Sequence, residues 1–286
     1  MRSLVSRAPL CTAVVGAIAI VATGCSSPGS TAKPAKPKPP ISARQAIALS
    51  AHNVASWRSD VSTTTITGTD GGARISFAWA LREESGFNES AVTSYKRDGK
   101  DVFPGGSDAI VTPTLYYIRD AALSRYYHTT KPWVELTPAT YLTLGPKISA
   151  KMHNSIPGAF FGDPVLGVGL LTTSTDVRAV GTGSINGVPV TEYEGAYSAA
   201  SGLAYITATL GSALSAQAIK QVMAMGLATV RFRAWLDPQH RPLKLVFIEA
   251  GTHANMTVTQ TIVSINQPAN IQFPPASETY VVPGTS

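Results

Sequence analysis

Between Arg74 and Arg82 the chain alternates without a break: Ile75, Phe77, Trp79 and Leu81 fall on one side, Ser76, Ala78, Ala80 and Arg82 on the other. A period of two predicts a half-buried antiparallel strand. The same period returns from Ala228 to Asp237, where Val230, Phe232, Ala234 and Leu236 share a face opposite Arg231, Arg233 and Trp235. The turn Asp237-Pro238-Gln239-His240-Arg241 then leads into a strand over Leu243 to Ala250, and another runs from Met256 to Ile265. Asn186-Gly187, set between Val177 to Ile185 and Val188 to Tyr197, predicts a two-residue hairpin, because both residues accept the positive φ of a type I′ turn. Weaker strand patterns occupy Val61 to Gly68, Glu89 to Arg97, Asp108 to Thr112, Leu115 to Arg119 and Trp133 to Leu136.

The period is helical in other stretches. Ser42 is a candidate N-cap for a helix to Trp57, with Ile47, Ala51, Val54 and Trp57 on one side,. Helical insertions are expected at Pro138 to Ile156, Pro164 to Leu171 and Ser201 to Met225, the last open to a break at Gly211 or Ser215. No tandem repeat is visible. Runs of strands separated by occasional helices do not fit a regular βαβ alternation. They predict an α+β fold, a curved antiparallel sheet of about ten or eleven strands with helices against its concave side.

Composition changes the picture at the N-terminus. The chain has 286 residues and a formal charge of +6, yet residues 1 to 40 hold Arg2, Arg7, Lys33, Lys36 and Lys38 and no acid. Residues 41 to 286 therefore carry 18 basic against 17 acidic groups, which argues against nucleic acid as a partner, since phosphate neutralisation needs clustered cations. Leu10 to Ala22 forms an apolar run too short to span a bilayer, behind a basic start, as in a secretory signal peptide over residues 1–24. It ends in Ala22-Thr23-Gly24-Cys25, where Cys25 is the expected lipidation site and the mature N-terminus. The other cysteine, Cys11, lies in the part removed. Residues 25–40 then read as a lipidated cysteine and a Pro, Ser and Lys tether, and 41–286 as one domain,. The expected location is the outer face of the cytoplasmic membrane, with the membrane as a partner through acylated Cys25.

Candidate chemistry is sparse. The histidines, His52, His128, His153, His240 and His253, show no metal-ligand spacing,. No GxSxG elbow, SxxK pair or P-loop occurs, and Gly181, Gly183 and Gly187 read as hairpin glycines,. Glu192 and Glu194 share a strand face at roughly 6.5 to 7 Å, a spacing that inverting glycosidases use and that a solvated sheet face also produces. No catalytic residue, cofactor or metal is expected. What stands out instead is the almost uncharged apolar stretch from Tyr141 to Leu171. Either it is the helical layer covering the sheet, or it roofs an apolar cavity for a lipid or similar ligand. In the second case Leu142, Met152, Phe160, Phe161, Leu166, Leu170 and Leu171, together with Leu210 and Leu214 of the later helix, are candidate cavity residues.

The order of these pieces resembles the LolA-like superfamily of cell-envelope proteins and, within it, the actinobacterial LppX/LprG-type lipoproteins. The resemblance rests on the lipobox at Cys25 with its polar tether, the leading helix with strand Val61 to Gly68, and Leu115-Tyr116-Tyr117 followed by Lys131-Pro132-Trp133-Val134-Glu135-Leu136. It continues through Asp176 to Gly181, Asn186 to Tyr193, Ala234-Trp235-Leu236-Asp237 and Phe273-Pro274-Pro275-Ala276. It implies a half-open antiparallel β-barrel with helices on its concave face. It also implies a non-enzymatic role in binding a lipid or acylated molecule for carriage through the envelope. The alternative it leaves open is an envelope sensor or protein-interaction module with a filled core and a protein partner. A hydrolase is a remoter third reading.

Overall fold

The computed structural model describes residues 41–84, 87–102, 106–141, 163–210, 219 and 222–284. Ser42 starts the first helix, α1 (Ala43–Ala55), with a capping box: its Oγ accepts from Gln45 N at 3.2 Å while Gln45 Oε1 accepts from Ser42 N at 2.8 Å. Two of the end's four free N–H groups are satisfied in this way. Ser42→Ala is expected to lower stability by about 1 kcal/mol, measurable by urea denaturation. Ala46, Ile47, Ser50 and Val54 form the buried face of α1.

Most of the described residues that follow are strand: β1 (Ser59–Asp70), β2 (Ala73–Glu84), β3 (Phe87–Arg97), β4 (Lys100–Asp101), β5 (Ser107–Val111), β6 (Tyr116–Arg119), β7 (Trp133–Leu136), β8 (Arg178–Ile185), β9 (Val188–Ser198), β10 (Leu227–Leu236), β11 (Pro242–Gly251), β12 (Ala254–Ile265) and β13 (Thr279–Val281). The described helices after α1 are α2 (Ala121–Tyr126), α3 (Pro164–Leu171) and α4 (Ala199–Leu210). All thirteen strands belong to one sheet of order β13-β7-β6-β5-β3-β2-β1-β12-β11-β10-β9-β8, with β4 paired to β3. Every pairing is antiparallel except β13 with β7. The terminal strands β8 and β13 do not pair with each other, so the sheet stays open.

Among the described residues the expected count of ten or eleven strands becomes thirteen. The two additions, β4 and β13, are two and three residues long, too short for a period to register. The short helix α2 was also unanticipated, although Asp120 caps it by accepting from Ala122 N at 2.6 Å and Leu123 N at 3.1 Å. α4 begins two residues before the expected Ser201, and residues 222–225 are again helical before Gly226, at φ +66°, ends the turn. Gly211, Ser215 and most of the Pro138 to Ile156 helix lie outside the described residues.

The turns follow their residues. Asn186 and Gly187 have φ of 50° and 79°, the left-handed pair of a type I′ hairpin. At the β10–β11 turn, Asp237 Oδ1 accepts from Gln239 N and Arg241 N at 2.9 and 2.8 Å. Two strands far apart in sequence, β1 and β12, lie side by side from Asp60↔Ile265 to Asp70↔Ala254. This ladder is the seam between the half of the sheet built by residues 59–136 with β13 at its far edge and the half built by residues 178–265.

The main core lies on the concave side, one cluster that joins residues of α1, α3 and α4 to Ile66 of β1, Phe77 of β2, Phe232 and Leu236 of β10, Leu245 and Phe247 of β11 and Val258 of β12. A smaller cluster joins Ile118, Leu123, Val134, Leu136 and Val282. Tyr116 and Tyr141 pack edge-on at its margin, ring centroids 5.4 Å apart. Burial pushes the Tyr141 phenol up to about 12.

Candidate functional site

The described candidate cavity residues of the sequence lie in the helical roof of the concave face. α3 reads Pro-Val-Leu-Gly-Val-Gly-Leu-Leu and contains no polar residue. A helix apolar on all sides must be buried on all sides, and Leu166, Val168, Leu170 and Leu171 are between 0% and 4% exposed. Asp163 supplies the N-cap, its Oδ1 accepting from Val165 N at 2.7 Å, and Pro164 sits in the first turn, where a missing N–H costs nothing,.

Glycines let this roof sit directly on the sheet. A Cβ on Gly167 would lie 3.2 Å from Leu245 Cδ1, 3.3 Å from Gln260 Oε1 and 3.6 Å from Phe247 Cζ. One on Gly169 would collide with the phenol hydroxyl of Tyr205 on α4, and one on Gly202 would lie 2.9 Å from the Tyr197 ring of β9. Over β9 to β12 the helices and the sheet are therefore in contact, with side chains interlocked.

Leu166, Leu170 and Leu171 accordingly stand in the main core. Leu210 closes α4, with its side chain outside the described residues. Leu142, Met152, Phe160, Phe161 and Leu214 lie outside the described residues, as does Cys25.

The concave face also carries polar groups that the sequence reading did not single out. Asp60 of β1 and Glu83 of β2 are directly opposite each other and are 0% and 7% exposed. Beside them Ser62 and Thr64 continue the inward register of β1, and Thr64 is flanked by Trp79 of β2 and Gln260 of β12. Ser62 Oγ, Ser50 Oγ and Trp79 Nε1 are buried without a hydrogen-bond partner. Glu249 of β11 is the extreme case. It is 1% exposed, neither carboxyl oxygen has a hydrogen-bond partner, and burial alone pushes its carboxyl up to about 8. Its strand neighbours are Val230 and Met256. The phenol of Tyr197 is also raised, first by burial and then by Glu249. A signal for Glu249 was present: it occupies the same parity as Leu245 and Phe247, the register that faces the core.

Glu192 and Glu194 face the other way. Glu194 Oε1 accepts from Arg178 Nε at 2.9 Å, and Arg233 reaches Glu192 at 3.5 Å and Glu194 at 3.8 Å. Lys244 stacks 5.0 Å above the Trp235 ring on the neighbouring strands. This is a solvated, cross-strand ion-pair array. Among the described residues no three His, Cys, Asp or Glu side chains converge as metal ligands.

No family model matches the sequence, and no curated protein matches it. Among solved structures the chain is similar to LprF from Mycobacterium bovis, at 14% identity over 82% of this chain and 96% of that one, with a TM-score of 0.47. It is similar to the Mycobacterium tuberculosis lipoprotein LppX at 14% identity over 80% and 98% of the two chains, TM-score 0.45. A LolA superfamily protein from Nitrosomonas europaea matches at 8% identity over 83% and 97%, TM-score 0.28.

Proposed function

We propose that the chain is an exported, membrane-tethered lipoprotein that binds a hydrophobic ligand on the concave face of its sheet and carries it in the cell envelope without transforming it. The observation that carries this reading is an open sheet whose concave face is clad by separate short helices in place of a second sheet. Short helices held by side-chain packing open locally at less cost than a strand held by a full ladder. Because α3 and α4 already fill the space over β9 to β12, the ligand belongs over β1 and β2. There Leu81 and Trp79 supply apolar surface, and Ser62 Oγ and Trp79 Nε1 are donors ready for the polar part of an amphiphile. The tether reading adds that Cys25→Ser releases the protein into the medium or leaves an uncleaved precursor; retention on the membrane after correct processing would overturn it.

The ligand test is titration of the full chain with a fluorescent fatty-acid or phospholipid probe at micromolar protein. Saturable binding is expected, weakened several-fold by Trp79→Phe, which removes one donor and keeps most of the apolar area. No saturable binding would remove the carrier reading. The close approaches at Gly167, Gly169 and Gly202 favour a second one, an envelope sensor or interaction module with a filled core. In that case the protein purifies free of lipid.

A further inference from the structure

We propose that the exposed face of α1 docks on the anionic headgroups of the membrane that holds the lipid anchor, a surface that extends the carrier reading and rests on its tether. Ala46, Ile47, Ser50 and Val54 are the buried face of α1. At about 3.6 residues per turn the opposite face carries Arg44, Gln45, Ala48, Leu49 and His52, all exposed, with Ile41 just ahead of the N-cap. Ile41 and Leu49 are 43% and 41% exposed, so two large apolar side chains stand in the open beside a guanidinium. Arg44 makes no ion pair among the described residues. Aliphatic side chains with a cation and no acid suit the headgroup boundary of a bilayer, where apolar groups sink and cations meet phosphate.

Charge and the chain that precedes α1 point to the membrane as the occupant. From Cys25 to Ser59 the sequence carries Lys33, Lys36, Lys38, Arg44 and Arg58 and no acid. Asp60 is the first acid, and it is buried. β8, which lies against α1, contains no acid either. Fifteen residues, 26–40, separate Cys25 from Ile41, and even fully extended they reach only about 50 Å. The α1 end of the body is therefore held near the bilayer at an effective concentration in the roughly millimolar range. A contact too weak to recruit a free protein is populated in an anchored one. α1 is also fixed to the body, since Asn53 Nδ2 donates to the Gln239 carbonyl oxygen of the β10–β11 turn at 2.7 Å. Docking α1 thus turns the helical roof toward the lipid and the outer face, with its Arg178, Glu192, Glu194 and Arg233 array, away from it. A ligand passing through the roof then meets the bilayer directly.

The test places the full chain, purified from membranes, in phosphatidylcholine vesicles with and without phosphatidylglycerol. On the tether reading Cys11 leaves with the signal peptide and acylation blocks the Cys25 thiol, so Leu49→Cys and Val263→Cys each supply one free thiol for a fluorescent label. Val263 is 62% exposed on the outer face of β12. Quenching by bromine-bearing acyl chains is expected to be several-fold greater at position 49 than at 263 in the anionic vesicles. Without phosphatidylglycerol, or at high salt, it is expected to fall to the level of position 263. Arg44→Glu in the Leu49→Cys chain is expected to have the same effect with the circular dichroism unchanged. Equal quenching at the two positions in anionic vesicles would overturn the proposal, as would quenching at position 49 that survives Arg44→Glu. Shielding of position 49 in native membranes but not in pure lipid would also overturn it and assign the face to an envelope protein. Label taken up by the unsubstituted chain would report a free Cys25 and overturn the tether itself, an outcome distinct from equal quenching on an anchored chain.

Discussion

Gly68→Ala is expected to lower the thermal midpoint by roughly 6 to 12 °C, the equivalent of about 3 kcal/mol in a domain of this size. Gly68 lies on β1 between Ile75 of β2 and Met256 of β12. A Cβ there would stand 2.0 Å from the carbonyl oxygen of Asn255 and 2.8 Å from Met256 Cα. Both obstacles are backbone, so no side chain can rotate away and the β1–β12 ladder itself must give. Because that ladder joins the two halves of the sheet, the damage is not confined to an edge. Gly181→Ala is the control, since nothing lies within 4 Å of its Cβ position, and it is expected to stay within about 0.5 kcal/mol of the parent. Thermal unfolding of the three proteins side by side decides the matter. A midpoint for Gly68→Ala equal to that of Gly181→Ala would show slack in the seam that the geometry does not contain.

Glu249→Gln is expected to stabilise the protein at alkaline pH and to leave it nearly unchanged in acid. The carboxyl is raised from an ordinary value of 4.5 to about 8 by burial, so the folded state holds its proton more tightly than the unfolded state. Below pH 4.5 both states are protonated and the group exacts no ionisation penalty. As the pH rises from 4.5 through 8 the unfolded chain ionises freely while the folded chain cannot, and stability is lost across that window. At about 1.36 kcal/mol per pH unit the loss at pH 8 is on the order of 5 kcal/mol, an upper bound because local opening lets water reach the group. Glutamine keeps the shape without the ionisation. The difference in urea midpoint between variant and parent should therefore grow from pH 5 to pH 8 and then level off. A difference independent of pH would mean that Glu249 is solvated or paired in solution.

Much of the sheet was legible because alternation survives wherever one face is buried and the other wet. Arg74 to Arg82 lies within the strand found at Ala73–Glu84, Ala228 to Asp237 matches the strand Leu227–Leu236 except for Asp237, which opens the turn, and Asn186-Gly187 makes its hairpin. What the pattern could not convey is partnership. Nothing local in β1 says that it pairs with β12, and nothing in Thr279–Val281 says that it lies parallel to Trp133–Leu136. The candidate site shows the same limit. Periodicity marks Leu166, Leu170 and Leu171 as buried but cannot say what buries them, and the glycines at 167 and 169 that bring sheet and neighbouring helix into contact look like interruptions when read along the chain. Glu249 was missed for the opposite reason. Its position declared it buried, and its chemistry invited reading it as a surface residue.

The β1–β12 seam also governs when the protein can finish folding. Asp60 pairs with Ile265, a separation of roughly 200 residues whose loop entropy must be overcome before the contact repays it. A chain delivered N-terminus first holds β1 and its threonine-rich edge without a partner until nearly the last strand has emerged. During that interval β1 and β2 form a sheet fragment with one long open edge, the kind of species that pairs with wrong neighbours. Refolding of the full chain should accordingly show a slow phase, and Gly68→Ala should lengthen it, because the seam is the long-range ladder that joins the two halves of the sheet.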